Sequence, residues 1–360
     1  MEDGMARTTT ALLTRLSQAV GVSGHEREVA DLVAQELGPF VDEVRTDRLG
    51  NCVGLRRSRT GAAGAPRVML AAHLDEIGMV VSRIERGGFL RVQPIGGVNV
   101  QTLLGRQVVV HAAEGPLPGI IGHPPPHLTA DGSRARLPRW EELFVDCGLS
   151  QDEAERRIAV GDLVTVAQAP LQLLGDRLAG KALDNRASVA AVVEAMRRLQ
   201  ELRHEADVYA VATVQEEVGL RGAAVSAFHV EPDVAIVVDV TFARQRLVSE
   251  PDVVELGRGP AIAIGANMHP RVVEALTETA REHGVPHQVE AIPGRSGTDA
   301  WAIQVSRQGV PTGLVSVPLR YMHGPTEVVQ VSDVQQTARL LAHFVARVHA
   351  GWVEQLARWE

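Results

Sequence analysis

Two kinds of sequence texture succeed one another along the chain, and their order limits the fold more than any single motif does. From about Gly175 onward, strand-like apolar runs alternate with segments of helical spacing. The strand patterns are Val208–Val214, Asp233–Val240, Ala261–Ile264 and Thr312–Val317. The helical ones are Ser188–Leu202, Gly222–Phe228, Pro270–His283, Ala300–Gln308 and Ser332–Ala350. Such alternation builds a mixed, mostly parallel sheet with helices on both faces. The N-terminal part has the same character, with helices over Thr8–Val20 and His25–Leu37 and a strand over Arg67–Ala72. Between about residues 78 and 174 the texture differs. Short β-like runs (Met79–Ile84, Phe89–Gln93, Arg106–Ala112, Gly119–Ile121, Leu163–Val166) are separated by Gly and Pro turns, which predicts a small barrel or sandwich. The expected architecture is an α/β domain made of residues 1–77 and 175–360, with a β domain inserted over 78–174.

Composition narrows the class. The net charge of -8 argues against a nucleic-acid binder, and the short basic run Arg56-Arg57-Ser58-Arg59 reads as a solvated hairpin tip or loop. With aromatics at 3%, the core must be built mostly from Val, Leu, Ile and Ala. Cys52 and Cys147 are the only cysteines, too few and too distant for a disulfide framework or a zinc cluster, which suits a reducing cytoplasm. No apolar run is long enough for a membrane span, and the N-terminus lacks an uninterrupted leader-like stretch.

Chemistry in open α/β sheets gathers at the C-terminal ends of the strands. Arg67–Ala72 runs into His73-Leu-Asp-Glu76, where His73 and Asp75 share one side of an extended chain. Val208–Val214 runs into Glu216 and Glu217, which extended backbone would point to opposite sides. Asp239 sits within the apolar run Ala235–Val240, where an unpaired charge is costly. His323 follows Thr312–Val317, and Asp184 lies near a helix start, where a capping role is the ordinary alternative. Two imidazoles and several carboxylates form an inventory for a pair of divalent ions, with Zn²⁺, Co²⁺ and Mn²⁺ all suited to mixed N/O ligation. A carboxylate outside the metal shell would then serve as general base.

The runs Ala71-Ala-His-Leu-Asp-Glu-Ile-Gly-Met79, Gly180-Lys-Ala-Leu-Asp-Asn-Arg186, Val214-Gln-Glu-Glu-Val-Gly-Leu-Arg-Gly222, Val238-Asp-Val-Thr241, Gly297-Thr-Asp-Ala300 and Pro318-Leu-Arg-Tyr-Met-His323 occur in an order that resembles the TET-type metalloaminopeptidases. The resemblance covers nearly the whole chain. It implies that His73 and Asp239 hold one metal, Glu217 and His323 the other, and that Asp184 bridges them. It further implies that Glu216 is the general base and that Asp75 orients His73. The implied activity is removal of N-terminal residues from short peptides. The implied assembly has the inserted β domain dimerising, with dimers building a homododecamer.

Three departures stand out: Asn185 in place of a second aspartate, Gly294-Arg-Ser-Gly297 beside the expected cleft, and a Pro- and Arg-rich loop over 123–139. An acidic-substrate preference would want a basic pocket residue, for which Arg295, Arg320 and Arg244 are candidates. The nearest alternative activity is another amide hydrolase on a similar frame, such as a deacylase of N-blocked amino acids. A metal-independent glycoside hydrolase would instead need two carboxylates flanking the bond.

Overall fold

The computed structural model describes residues 2–60, 64–122, 139–248 and 253–356. Its frame is an 11-stranded mixed sheet. The four central strands, Asp207–Thr213, Arg67–His73, Val234–Phe242 and Thr312–Arg320, are neighbours in that order and run parallel. Antiparallel strands extend both sides. Cys52–Arg56 and Glu43–Thr46 lie beyond Asp207–Thr213. Glu327–Gln330, Arg177–Gly180 and Leu171–Leu173 lie beyond Thr312–Arg320. Ala261–Gly265 also pairs with Thr312–Arg320 and carries Gln288–Ile292 beside it in parallel.

The central strands are apolar throughout because both faces are covered. In Arg67–His73, Val68, Leu70 and Ala72 join the core under the helices Glu2–Gln18, Arg27–Leu37, Leu183–Arg198 and Val331–Arg347. Met69 and Ala71 alternate to the opposite core, with Ala223, Ala227, Ala300 and Ile303 from the helices Arg221–Val230 and Ala300–Gln304.

Directly after Gly78 the chain enters a closed barrel of the strands Gly78–Ile84, Leu90–Ile95, Phe144–Asp146, Gly115–Gly122, Gln107–Ala112 and Leu163–Val166. Met79, Val81, Leu90, Val92, Val108, Val110, Ile121 and Val164 fill it. The expected mixed α/β fold with an inserted barrel is therefore the fold observed. The barrel's last strand ends at Val166, and Leu171–Leu173 already pairs within the large sheet. Residues 123–138, most of the expected proline-rich loop, lie outside the described residues.

Several edge strands escape the sequence patterns. Glu43–Thr46 is exposed at every position, so burial imposed no apolar alternation on it. Arg56 corrects the expectation of a solvated tip. It closes the Cys52–Arg56 strand, is 2% exposed, and donates from Nη1 to the Phe40 carbonyl at 2.8 Å and from Nη2 to the Leu199 carbonyl at 3.3 Å. No helix among the described residues is long and apolar enough to cross a membrane.

Candidate metal centre

Parallel pairing aligns the ends of the central strands. Thr213 stands opposite His73, and Asp239 opposite Ser316, so the residues that follow or close these strands gather at one edge. All the site residues expected from sequence come together there. His73 Nε2 lies 3.3 Å from Asp184 Oδ1, 3.9 Å from Glu216 Oε2 and 3.9 Å from Asp239 Oδ1. His323 Nε2 lies 3.4 Å from Asp184 Oδ2 and 3.4 Å from Glu217 Oε1. Asp184 thus turns one oxygen to each imidazole.

The backbone is specialised around these groups. Ala182, Gln215, Tyr321 and His323 have φ of 56°, 56°, 61° and 58°, left-handed values that non-glycine residues adopt at a cost. Such strain gathers at functional sites. The Asp184–Asn185 peptide is cis, and Asn185 Nδ2 donates to the Val238 carbonyl at 3.0 Å. Asp75 accepts from the amides of Glu216 at 3.0 Å and Glu217 at 3.2 Å, and from Ser23 Oγ at 2.6 Å. It therefore fixes the turn that carries the paired glutamates.

Sequence reasoning missed three supports. Glu327 accepts from the amides of Asp184 at 2.9 Å and His323 at 3.0 Å, tying together two loops 139 residues apart. Its only sequence signal is an acidic residue four positions past His323. A buried cluster joins Glu76 to Lys181 Nζ at 2.7 Å and Arg186 Nη2 at 3.2 Å, and braces the loops of His73 and Asp184. Finally, the barrel's Gly96–Gly97 turn backs directly onto the centre. A Cβ at Gly97 would sit 2.7 Å from His323 Nδ1.

The electrostatics suit cations. Burial pushes the Glu216 carboxyl up to about 9, helped by Asp239, Asp299 and Glu217 and only partly opposed by His73. Asp239 is raised by burial and by Asp184, despite His73. Asp184 is opposed by burial too, but His323 and His73 outweigh it and hold its carboxyl low. His323 is raised to about 11 by Asp184, then by Glu217. Without metal, protons must supply the compensation. Ligand atoms of His73, Asp184 and Glu217 lie within 4.8 Å of one another, as do those of His73, Glu216 and Asp239. This thiolate-free N/O donor set fits divalent zinc, cobalt or manganese.

The edge opens into a cleft of about 510 Å³, bounded on its far side by Glu290, Ile292, the Arg295–Thr298 loop and Trp301. Of the basic residues proposed for an acidic substrate, only Arg295 reaches it. Arg320 Nε instead donates to the Arg244 carbonyl at 2.7 Å, and Arg244 pairs with Glu255 at 2.6 Å.

Known proteins share this fold. The family model for M42 glutamyl aminopeptidase matches residues 50–340. The lysyl aminopeptidase of Pyrococcus furiosus is 40% identical over 333 residues, covering 91% of this chain and 94% of the relative. The structure of an aminopeptidase from the archaeon Desulfurococcus kamchatkensis superposes with a TM-score of 0.91 at 38% identity, covering 98% of this chain and 99% of that one. The TET1 peptidase of Pyrococcus horikoshii, which can assemble into a tetrahedron or a large octahedral shell, superposes at 0.82 with 29% identity, over 94% of this chain and 100% of that one. The chain belongs to the M42 glutamyl aminopeptidase family and is a peptide hydrolase.

Proposed function

We propose that the chain is a dinuclear metal-dependent aminopeptidase acting on short peptides. The observation that carries this reading is Asp184, whose two oxygens face Nε2 of His73 and Nε2 of His323. His73 and Asp239 would hold one ion, Glu217 and His323 the other, with Asp184 shared between them. Zn²⁺ or Co²⁺ is the first choice and Mn²⁺ the next. Bound divalent cations supply Lewis acidity that activates water and polarises a carbonyl.

The chain's own residues do the rest. Glu216, whose Oε2 lies 3.9 Å from His73 Nε2 at the edge of the cluster, takes the proton of the attacking water and returns it to the departing amine. Asp75 keeps His73 in orientation with Nε2 facing the cluster. The barrel supports self-association into dimers and a dodecamer, in line with its exposed Ile120 and the assembly of the Pyrococcus horikoshii relative. The free thiols of Cys52 and Cys147 support a cytoplasmic setting.

The test strips the enzyme and restores Zn²⁺, Co²⁺ or Mn²⁺ separately, assaying aminoacyl-nitroanilides beside N-blocked analogues. Metal-dependent cleavage of the free-amine substrates is expected. Cleavage of blocked substrates alone, or full activity in chelator, would overturn the reading.

A further inference from the structure

Names among the relatives point to opposite substrate charges, glutamyl in the family description and lysyl in Pyrococcus furiosus. The cleft itself carries one anionic and one cationic side chain, Glu290 and Arg295. Their surroundings differ. Arg295 is exposed, with its guanidinium 4.9 Å from the centre of the Trp301 ring. A cation so placed is solvated and already engaged. Glu290 belongs to the strand Gln288–Ile292 in the cleft wall. Its Oε1 accepts from Thr241 Oγ1, while Oε2 is buried and without a hydrogen-bond partner. A buried carboxylate oxygen lacking a donor is costly, and turning it toward a cation held in the cleft would relieve that cost.

The position is right for a substrate side chain. Thr241 lies two residues beyond Asp239 on the same strand, and therefore on the same face. Two extended residues span about 6.6 Å, comparable with a four-carbon stem bearing an ammonium. Phe242, Ile292, Leu314 and Met322 line the same cleft and offer apolar surface to such a stem.

We infer that Glu290, pinned by Thr241, is a specificity residue that selects peptides whose first side chain is basic, lysine above all. This rests on the aminopeptidase reading. The metal-replete, full-length enzyme is assayed on lysyl-, norleucyl- and glutamyl-nitroanilides. Norleucine keeps the stem and removes the ammonium. The native chain should favour lysyl over norleucyl by about 10- to 100-fold in kcat/KM, the range expected for a charged hydrogen bond. Glu290→Gln should bring that ratio close to one, and Glu290→Lys should move preference toward glutamyl. A native enzyme that prefers norleucyl or glutamyl overturns the inference without any variant being made. So does a folded Glu290→Gln that keeps the native ratio. Absence of turnover on all three substrates with metal bound is a separate outcome, and it would remove the aminopeptidase reading itself.

Discussion

His73 Nδ1 faces Asp75 Oδ1 at 3.4 Å and has no other partner among the described residues. The same carboxylate holds both glutamate amides, so one side chain sets the imidazole and the turn beside it. Asp75→Asn leaves a single acceptor oxygen. Apparent metal affinity should fall about 10- to 100-fold, measured by titration in metal buffers. An unchanged affinity together with native turnover would show that Asp75 does not position the site.

Glu216→Gln keeps the size and hydrogen-bonding capacity of the side chain but removes its ability to carry a proton away. Turnover should drop by about 10²- to 10⁴-fold, while elemental analysis still finds two ions per chain. Native activity in the metal-loaded variant would eliminate the general-base role.

Metal loading should depend on pH with a definite sign. Asp184, then Glu217, raise His323 from 6.5 to about 11. Stabilisation from its protonated form is complete below 6.5 and is lost as pH rises through about 11. In the proposed site a divalent cation would take the place of that proton. Binding near neutral pH should therefore release protons, and affinity should rise up to about tenfold per pH unit for each proton released. Calorimetry in buffers of different ionisation enthalpy measures the release; a value of zero would contradict the assigned ligand.

At Gly97 a methyl group has nowhere to go, since its position lies 2.7 Å from Nδ1 and 3.0 Å from Cε1 of His323. Gly97→Ala should displace the imidazole by a few tenths of an ångström. We expect weaker binding of one ion and a loss of activity on the order of tenfold or more. Equilibrium dialysis at limiting metal should find the second ion depleted, and native stoichiometry and rate would refute the contact.

Stability depends on a different carboxylate. Removing Glu76 by Glu76→Ala strands Lys181 and Arg186, whose side chains are only 10% and 0% exposed. The expected loss is about 3–5 kcal/mol, read from urea unfolding of the metal-free protein. A loss well under 1 kcal/mol would mean that backbone carbonyls already satisfy both cations.

The candidate cluster is legible in the sequence because its residues obey local rules. His73, Glu216 and Glu217 follow apolar strands, and Asp239 interrupts one, so each breaks a pattern that burial otherwise enforces. The structure gathers these residues with Asp184 and His323, as the sequence led us to expect. Glu327 and Gly97 were not legible. Each acts on groups far away in sequence and breaks no local pattern. Arg56 was misread for a related reason, because its carbonyl partners come from Phe40 and Leu199 and not from its own hairpin. Glu290 and Thr241 meet only across strands that the chain visits 49 residues apart.

The barrel begins five residues after His73, and its Gly96–Gly97 turn comes back to touch the loop of His323. It is therefore not a detachable module, although topology makes it look like an insertion that could be cut out at its neck. A shortened chain with a linker in its place would retain the sheet but leave His323 without its backing. Grafting another barrel onto this sheet would have to reproduce the close approach that Gly97 makes to His323, so the insert's turn carries part of the site's steric design.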